Sequence, residues 1–246
     1  GKSVLITAAA GAGIGFAAAR KCAEEGCRAL MISDIHPRRL EEAVAKLKAD
    51  TGLQNVWGQL CNVTNEEEVQ ALVAAAEDKL GGVDVLINNA GLGGEKRVTE
   101  MTDEEWSRVL DITLTGTFRM TRAMLPHMEK RGRGAIVNNA SVLGWRAQKG
   151  QAHYAAAKAG VMALTRCSAV EAAEHGVRIN AVSPSIALHE FLKKASSEEL
   201  LAQLASREAF GRAAEVWEVA NVMVFLASDY ASYMTGEVLS VSSQHA

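Results

Sequence analysis

Proline is scarce, with 3 residues in 246, and aromatic residues make up only 5%. That excludes a proline-rich linker or fibre, and it offers little material for the aromatic stacking platforms of single-strand binders. The four cysteines, Cys22, Cys27, Cys61 and Cys167, form no Cys-x-x-Cys pair and keep no zinc spacing with histidine. A disulfide framework and a zinc module are therefore excluded, no metal is expected, and buried thiols in a reducing cytoplasm are. No run approaches the roughly 18 apolar residues of a membrane span. No excess of positive charge exists either: 26 Lys and Arg against 29 Asp and Glu leave a net charge of −3. Nucleic acid and membrane surfaces, which select basic chains, are thus not the expected partners. No signal-peptide pattern is visible; the chain opens at Gly1-Lys2 without an initiator Met, consistent with a trimmed leading piece.

What is present is an ordinary globular balance, 48% apolar and 22% charged, in a chain large enough to need no covalent staple. Short apolar, β-branched runs alternate with helix-length segments. The strand candidates are Val4–Thr7, Ala29–Ser33, Val56–Gln59, Val83–Asn88, Ala135–Asn138, Ile179–Ser183 and Val238–Val241. Capping boxes are read at Thr64/Glu67, Thr102/Glu105 and Ser196/Glu199. Such alternation implies an α/β fold, a doubly wound parallel sheet with helices on both faces. Continuous apolar strands fit burial on both sides. No linker, charge block or repeat divides residues 1–246, so one domain is expected. Residues 185–212, irregular after Pro184, form a candidate substrate lid, since ligands lie at the carboxyl ends of such strands.

The first strand runs into Thr7-Ala-Ala-Ala-Gly11-Ala-Gly13-Ile14-Gly15 and then an alanine-rich helix. Small residues at that turn let backbone approach a diphosphate, which the helix N-terminus then holds. The second strand ends at Asp34, where a carboxylate can accept from the adenosine ribose and repel a 2′-phosphate. This favours NAD over NADP; Arg38 and Arg39, which follow, are read as solvated charges opening the next helix.

Tyr154 and Lys158 stand at i and i+4 in a segment that reads as helix over Gln151–His175. The spacing puts both on one face, where an ammonium is expected to lower the phenol pKa toward proton transfer. Ser141, just past the fifth strand candidate, offers a hydroxyl to the reacting oxygen.

Taken together, these motifs resemble those of the short-chain dehydrogenase/reductase family over nearly the whole chain. The resemblance is carried by Gly13-Ile14-Gly15, Asn88-Asn89-Ala90-Gly91, Gly134-Ala-Ile-Val-Asn-Asn-Ala-Ser141, Tyr154-x-x-x-Lys158 and Arg178-Ile-Asn-Ala-Val-Ser-Pro184. It implies a Rossmann-like fold and hydride transfer between nicotinamide and a secondary alcohol or ketone. Ser141 would steady the oxygen, Tyr154 would act as acid/base, and Lys158 would hold the nicotinamide ribose. The resemblance also sets Gly11, Asn62, Val63, Asn89, Ala90, Gly91, Pro184 and Ile186 along the cofactor, and it implies a dimer or tetramer.

Departures from the family pattern are specific. Ala8 replaces a glycine in a phosphate loop one residue longer than usual, and Asn62 replaces aspartate while keeping an acceptor for the adenine amine. Thr113 replaces the asparagine of a proton relay, Ser185 follows Pro184 in place of glycine, and His189 stands where threonine is common. The C-terminus closes on Val241-Ser-Ser-Gln-His-Ala rather than Asp-Gly-Gly. Trp145, Arg146 and Lys149, with Lys193 and Lys194 in the lid, suit an acyl chain bearing a carboxylate or a CoA phosphate; solvated surface charge is the plainer alternative. The wider pattern resembles an actinobacterial branch acting on acyl-CoA and steroid-ring CoA thioesters, so a bulky hydroxyacyl-CoA is the expected small-molecule substrate. A 3-oxoacyl-(acyl-carrier-protein) reductase using NADPH is the alternative enzyme. A dinucleotide sensor without turnover is the alternative of another class.

Overall fold

The computed structural model describes residues 1–188, 192 and 197–243. His189, Lys193, Lys194, Ser196 and the final Gln244-His245-Ala246 lie outside the described residues, so expectations placed on them have no structural counterpart here.

Seven strands form one parallel sheet: β1 (Ser3–Ile6), β2 (Ala29–Asp34), β3 (Val56–Leu60), β4 (Val85–Asn88), β5 (Gly134–Asn139), β6 (Val177–Pro184) and, at the far edge, β9 (Val238–Val241). Their order is β3-β2-β1-β4-β5-β6-β9, with the reversal of direction between β1 and β4. The connecting helices are α1 (Ile14–Glu24), α2 (Pro37–Thr51), α3 (Glu66–Leu80), α4 (Asp103–Leu110), α5 (Gly116–Arg131), α6 (Ala152–Ala173), α7 (Glu198–Ala205) and α8 (Val216–Ala227). A second, two-stranded sheet pairs β7 (Ala187–Leu188) with β8 (Ala214–Glu215), bringing the start of the expected lid against residues just past its end. Among the described residues no helix is long and apolar enough to cross a membrane.

Strand alternation divides the core into two layers. Val4, Ile6, Leu30, Ile32, Val85 and Ile87 face α1, α2 and α8. Leu5, Ala29, Met31 and Leu86 point the other way, against α3, α5 and α6. A fully buried Leu or Ile contributes about 1.5–3 kcal/mol relative to exposure, and with both faces covered nearly every strand position contributes.

Several local expectations shift by one residue. Helix α3 is capped by Asn65, whose Oδ1 accepts from the Glu67 and Glu68 amides at 2.9 and 3.2 Å, so Thr64 is not its cap. Thr64 instead closes a turn on Asn62, an acceptor two residues back. Ser197, not Ser196, caps α7 through the Leu200 amide. The Thr102/Glu105 capping box is present on α4. Cys22, Cys27 and Cys61 are buried, and burial pushes the Cys27 thiol up to about 11 and the Cys61 thiol up to about 12. Cys167 is exposed on the outer face of α6, against the expectation of four buried thiols.

The carboxyl half of the sheet is stitched by buried amides. Asn88 Nδ2 donates to Asn138 Oδ1 at 2.9 Å and to Thr121 Oγ1 at 3.2 Å, and Asn138 Nδ2 donates to Thr165 Oγ1 at 2.9 Å. The chain joins β4 and β5 to α5 and α6 directly below the strand ends. Removing one member leaves others unpaired in a dry interior, where each orphan costs about 1–3 kcal/mol. Asn138→Ala is therefore expected to lower unfolding free energy by about 2–4 kcal/mol. Urea denaturation measures this, and a loss under 1 kcal/mol would show that the network carries little stability.

Candidate active site

The loop between β1 and α1 arrives at the carboxyl edge beside β4. The Thr7 hydroxyl accepts from the amides of Asn89 and Ala90 at 3.0 and 3.1 Å, and Asn89 Nδ2 donates to the Ala8 carbonyl at 2.9 Å. Helix α1 begins at Ile14, after Gly13, with no side-chain cap on its first turn. Its first amides lack intrahelical and side-chain partners, the arrangement that suits an anion. Gly15 lies so close to the loop that a Cβ there would stand 2.6 Å from the Ala8 carbonyl and 2.5 Å from Asn89 Nδ2. Only glycine lets helix and loop meet this closely, which fits the residues present to a dinucleotide diphosphate.

Asp34 ends β2 alongside this loop. Its Oδ2 accepts from the Ala10 amide and its Oδ1 from the His36 amide, both at 3.2 Å. The Arg39 guanidinium lies 3.8 Å from Oδ1, whereas Arg38 pairs with Glu42 along α2. Burial pushes the Asp34 carboxyl up, while the Ala10 amide and Arg39 act against that shift. Arg39 is thus not the free solvated charge expected from sequence. Asn62 follows β3, and its Oδ1 accepts from both the amide and the hydroxyl of Thr64, at 3.1 and 2.9 Å. That oxygen, assigned to the adenine amine, is held in its own turn. Val63 beside it packs on Gly116, 2.6 Å from where a Cβ there would sit.

Three residues of the catalytic expectation converge beyond β5. Ser141 is buried and accepts from the Leu143 amide at 3.2 Å, opening a short 3₁₀ turn. Tyr154 and Lys158 share a face of α6, with the ammonium 5.5 Å from the phenol ring centre. Lys158 is buried and donates to the Asn139 carbonyl at 2.6 Å. Burial lowers its pKa from the usual 10.5 to about 8. Burial also raises the Tyr154 pKa, and the interaction with Ser141 works against that rise. In the protein alone the phenol thus stands above its ordinary value rather than below it as expected, because desolvation of the phenolate outweighs the Ser141 hydrogen bond. Gly91 stands over Lys158, with Nζ 3.4 Å from its virtual Cβ, and Gly93 lies 3.9 Å from the Tyr154 ring on the same measure.

Thr113 lies close to this group: its Oγ1 and Lys158 Nζ would stand 3.7 and 3.4 Å from a Cβ on Gly91. It sits buried in a π-helical turn, Asp111–Thr115, between α4 and α5. Its hydroxyl accepts from the Leu92 amide at 3.0 Å and donates to the Leu92 carbonyl at 3.3 Å. These bonds pin the loop after β4. Pro184 and Ile186 border the far side, where the Ser185 amide donates to the Val241 carbonyl and the Ile186 carbonyl accepts from Ala214. Sequence reasoning passed over Thr7 and Asn139. Asn139 offers its carbonyl to Lys158 and its side chain to Asn89 Oδ1 at 3.0 Å. A polar residue at the end of a buried parallel strand was the available signal for both.

The family model described as enoyl-(acyl carrier protein) reductase matches residues 8–243. A Mycobacterium tuberculosis protein is 62% identical over the whole chain and 93% of its own length. The chain belongs to the short-chain dehydrogenase/reductase family. That relative is called (5R,7aS)-5-hydroxy-7a-methyl-1-oxo-2,3,5,6,7,7a-hexahydro-1H-indene-carboxyl-CoA reductase. The 3-oxoacyl-(acyl-carrier-protein) reductase of Vibrio cholerae is 39% identical over 98% of this chain and 96% of its own. The crystal structure of a short chain dehydrogenase from Mycobacterium smegmatis superposes with TM-score 0.88 at 58% identity, covering 100% of this chain and 93% of that one. These matches fit the actinobacterial branch, and as a family member the chain is an oxidoreductase that binds a nicotinamide dinucleotide.

One feature of the site is strained. Ala8 adopts φ +51°, the left-handed region that glycine enters without cost. A β-carbon there costs about 1–2 kcal/mol, partly offset because glycine is freer in the unfolded chain. Ala8→Gly is expected to stabilise the protein by about 1 kcal/mol. A thermal or urea transition tests this, and a destabilised variant would mean that Ala8 packing outweighs its strain.

Proposed function

We propose that this oxidoreductase uses NAD to interconvert a secondary alcohol and a ketone carried on a bulky CoA thioester. The observation that carries the reading is the cluster of buried Ser141 and Lys158 with half-buried Tyr154, facing the loop after β4. Ser141 holds the substrate oxygen by a hydrogen bond, and Tyr154 exchanges the oxygen's proton. Lys158, anchored by the Asn139 carbonyl, sets its ammonium beside the ring and favours the phenolate whenever it is charged. The α1 N-terminus and the Gly11–Gly15 loop would hold the diphosphate, and Asn89, Ala90, Gly91, Pro184 and Ile186 would line the nicotinamide half. When bound, the dinucleotide accepts or returns the hydride of the carbinol carbon. The thioester reading is supported by the relative named as a CoA reductase at 62% identity. The exposed apolar Phe118 and Val170 on α5 and α6 support a homo-oligomer, and the free cysteines are compatible with a cytoplasmic setting.

The competing sensor reading draws on Thr113, whose hydroxyl is committed to Leu92. Tyr154→Phe discriminates between the two. With NAD and a panel of secondary alcohols and hydroxyacyl-CoAs, the variant is expected to lose on the order of 10³-fold in turnover. Its NAD affinity, followed by calorimetry, is expected to stay within a few-fold of the parent. Equal and negligible turnover of parent and variant across the panel would favour the sensor.

The preference for NAD rests on the half-buried Asp34 carboxylate. Asp34→Ser removes the repulsion of a 2′-phosphate and releases Arg39 to meet it. The kcat/KM ratio of NADP to NAD is expected to rise on the order of tenfold or more. A parent enzyme that already prefers NADP would overturn this assignment and strengthen the acyl-carrier-protein alternative.

A further inference from the structure

A groove of about 800 Å³ opens beside the catalytic group, between the loop after β4 and the loop that leads into α6. The two loops are clasped: the Lys96 amide donates to the Gly150 carbonyl at 2.9 Å, and a Cβ on Gly150 would stand 2.7 Å from Glu95 Cγ. Ser141, Tyr154 and Lys158 do not themselves line the groove, but two of its lining residues adjoin them. Leu143, which lines it, donates its amide to the Ser141 hydroxyl, and Ala155, which also lines it, follows Tyr154 in α6.

Its chemistry is two-sided. The floor is apolar, built from alanines of α6, Leu143 and the half-exposed Trp145. The rim carries Arg97, Arg146 and Lys149, and no carboxylate is found among the described residues that line it. In a chain with net charge −3, three cations around one groove are a local reversal of sign. Arg97 pairs with Glu100 at 3.7 Å on the solvent side, while exposed Lys149 has no acidic partner among the described residues. Neither the hydride chemistry nor the dinucleotide loop uses these groups.

We propose that this groove seats the arm of a CoA thioester, the pantetheine chain on the apolar floor and the phosphates at Lys149, Arg146 and Arg97. The inference rests on the thioester reading above and adds the place where the carrier is recognised. An acyl group whose carbinol carbon lies at Ser141 and Tyr154 has its thioester end directed along Leu143 into the groove. Phosphates then meet cations that attract them through solvent, an interaction that weakens as salt screens it.

The test compares one acyl group carried as its CoA ester and as its N-acetylcysteamine ester, which lacks every phosphate. The parent enzyme is expected to prefer the CoA ester, and added NaCl to erode that preference. Lys149→Glu is expected to reduce the preference, as a ratio of kcat/KM values, on the order of tenfold. A ratio unchanged by Lys149→Glu overturns the groove and leaves the thioester reading intact. If the enzyme turns over neither ester but oxidises another alcohol, the thioester reading falls. The groove is then judged by calorimetric titration of CoA into NADH-saturated protein. Binding that Lys149→Glu weakens upholds it, and absence of binding overturns it.

Discussion

The carboxyl end of the sheet depends on the tie between β1 and β4. These neighbours feed connections that leave in opposite directions, so a cleft must open between their ends. The Thr7 hydroxyl holds that cleft to one width by accepting two successive amides from the residues after β4. Asn89 returns the tie by donating to the Ala8 carbonyl, and Gly15 lets α1 settle against both. The loop proposed to meet a diphosphate and the loop that passes over Tyr154 and Lys158 are thereby referred to the same few atoms. Cofactor and acid/base groups are in register because one hydroxyl and one amide bridge the reversal of strand order.

The second constraint is burial of charge. Lys158 lies in a nearly dry environment with the Asn139 carbonyl as its hydrogen-bond partner, and desolvation alone brings its pKa within reach of neutrality. Tyr154 is shifted in the opposite sense for the same reason. Phenol and ammonium are thus driven apart on the pH scale, the phenol upward and the ammonium downward, so that burial favours the neutral form of each. Ser141 tilts this balance by stabilising the phenolate.

Much of this arrangement was legible in the amino-acid sequence. Seven apolar runs separated by helical spacing implied the parallel sheet, and the i, i+4 pair on α6 brought Tyr154 and Lys158 together. Helix α4 was marked by its capping box, whereas Asn65 took the place of Thr64 because the amide of an asparagine reaches two backbone donors at once. Side-chain commitments were not legible. Asn62 and Thr113 carry the right functional groups, yet both spend them on neighbours a few ångströms away. Such local competition depends on loop conformation, which residue identity alone leaves open. Desolvation was equally hidden, since the spacing of Tyr154 and Lys158 says nothing about the depth of α6 beneath the loop.

The buried amide pair Asn88 and Asn138 bears on how the sheet avoids misalignment. Strands such as Val-Leu-Ile-Asn and Ala-Ile-Val-Asn are apolar on both faces, so sliding one residue past the other exchanges one aliphatic contact for another at small cost. The hydrophobic effect alone then discriminates poorly between neighbouring alignments. Asn88 stands directly opposite Asn138 in the native pairing. Any slip would strand two amides in hydrocarbon, a penalty of several kcal/mol for the pair. The two asparagines act as a positional key for β4 and β5, imposing a single alignment on strands whose remaining residues would tolerate several.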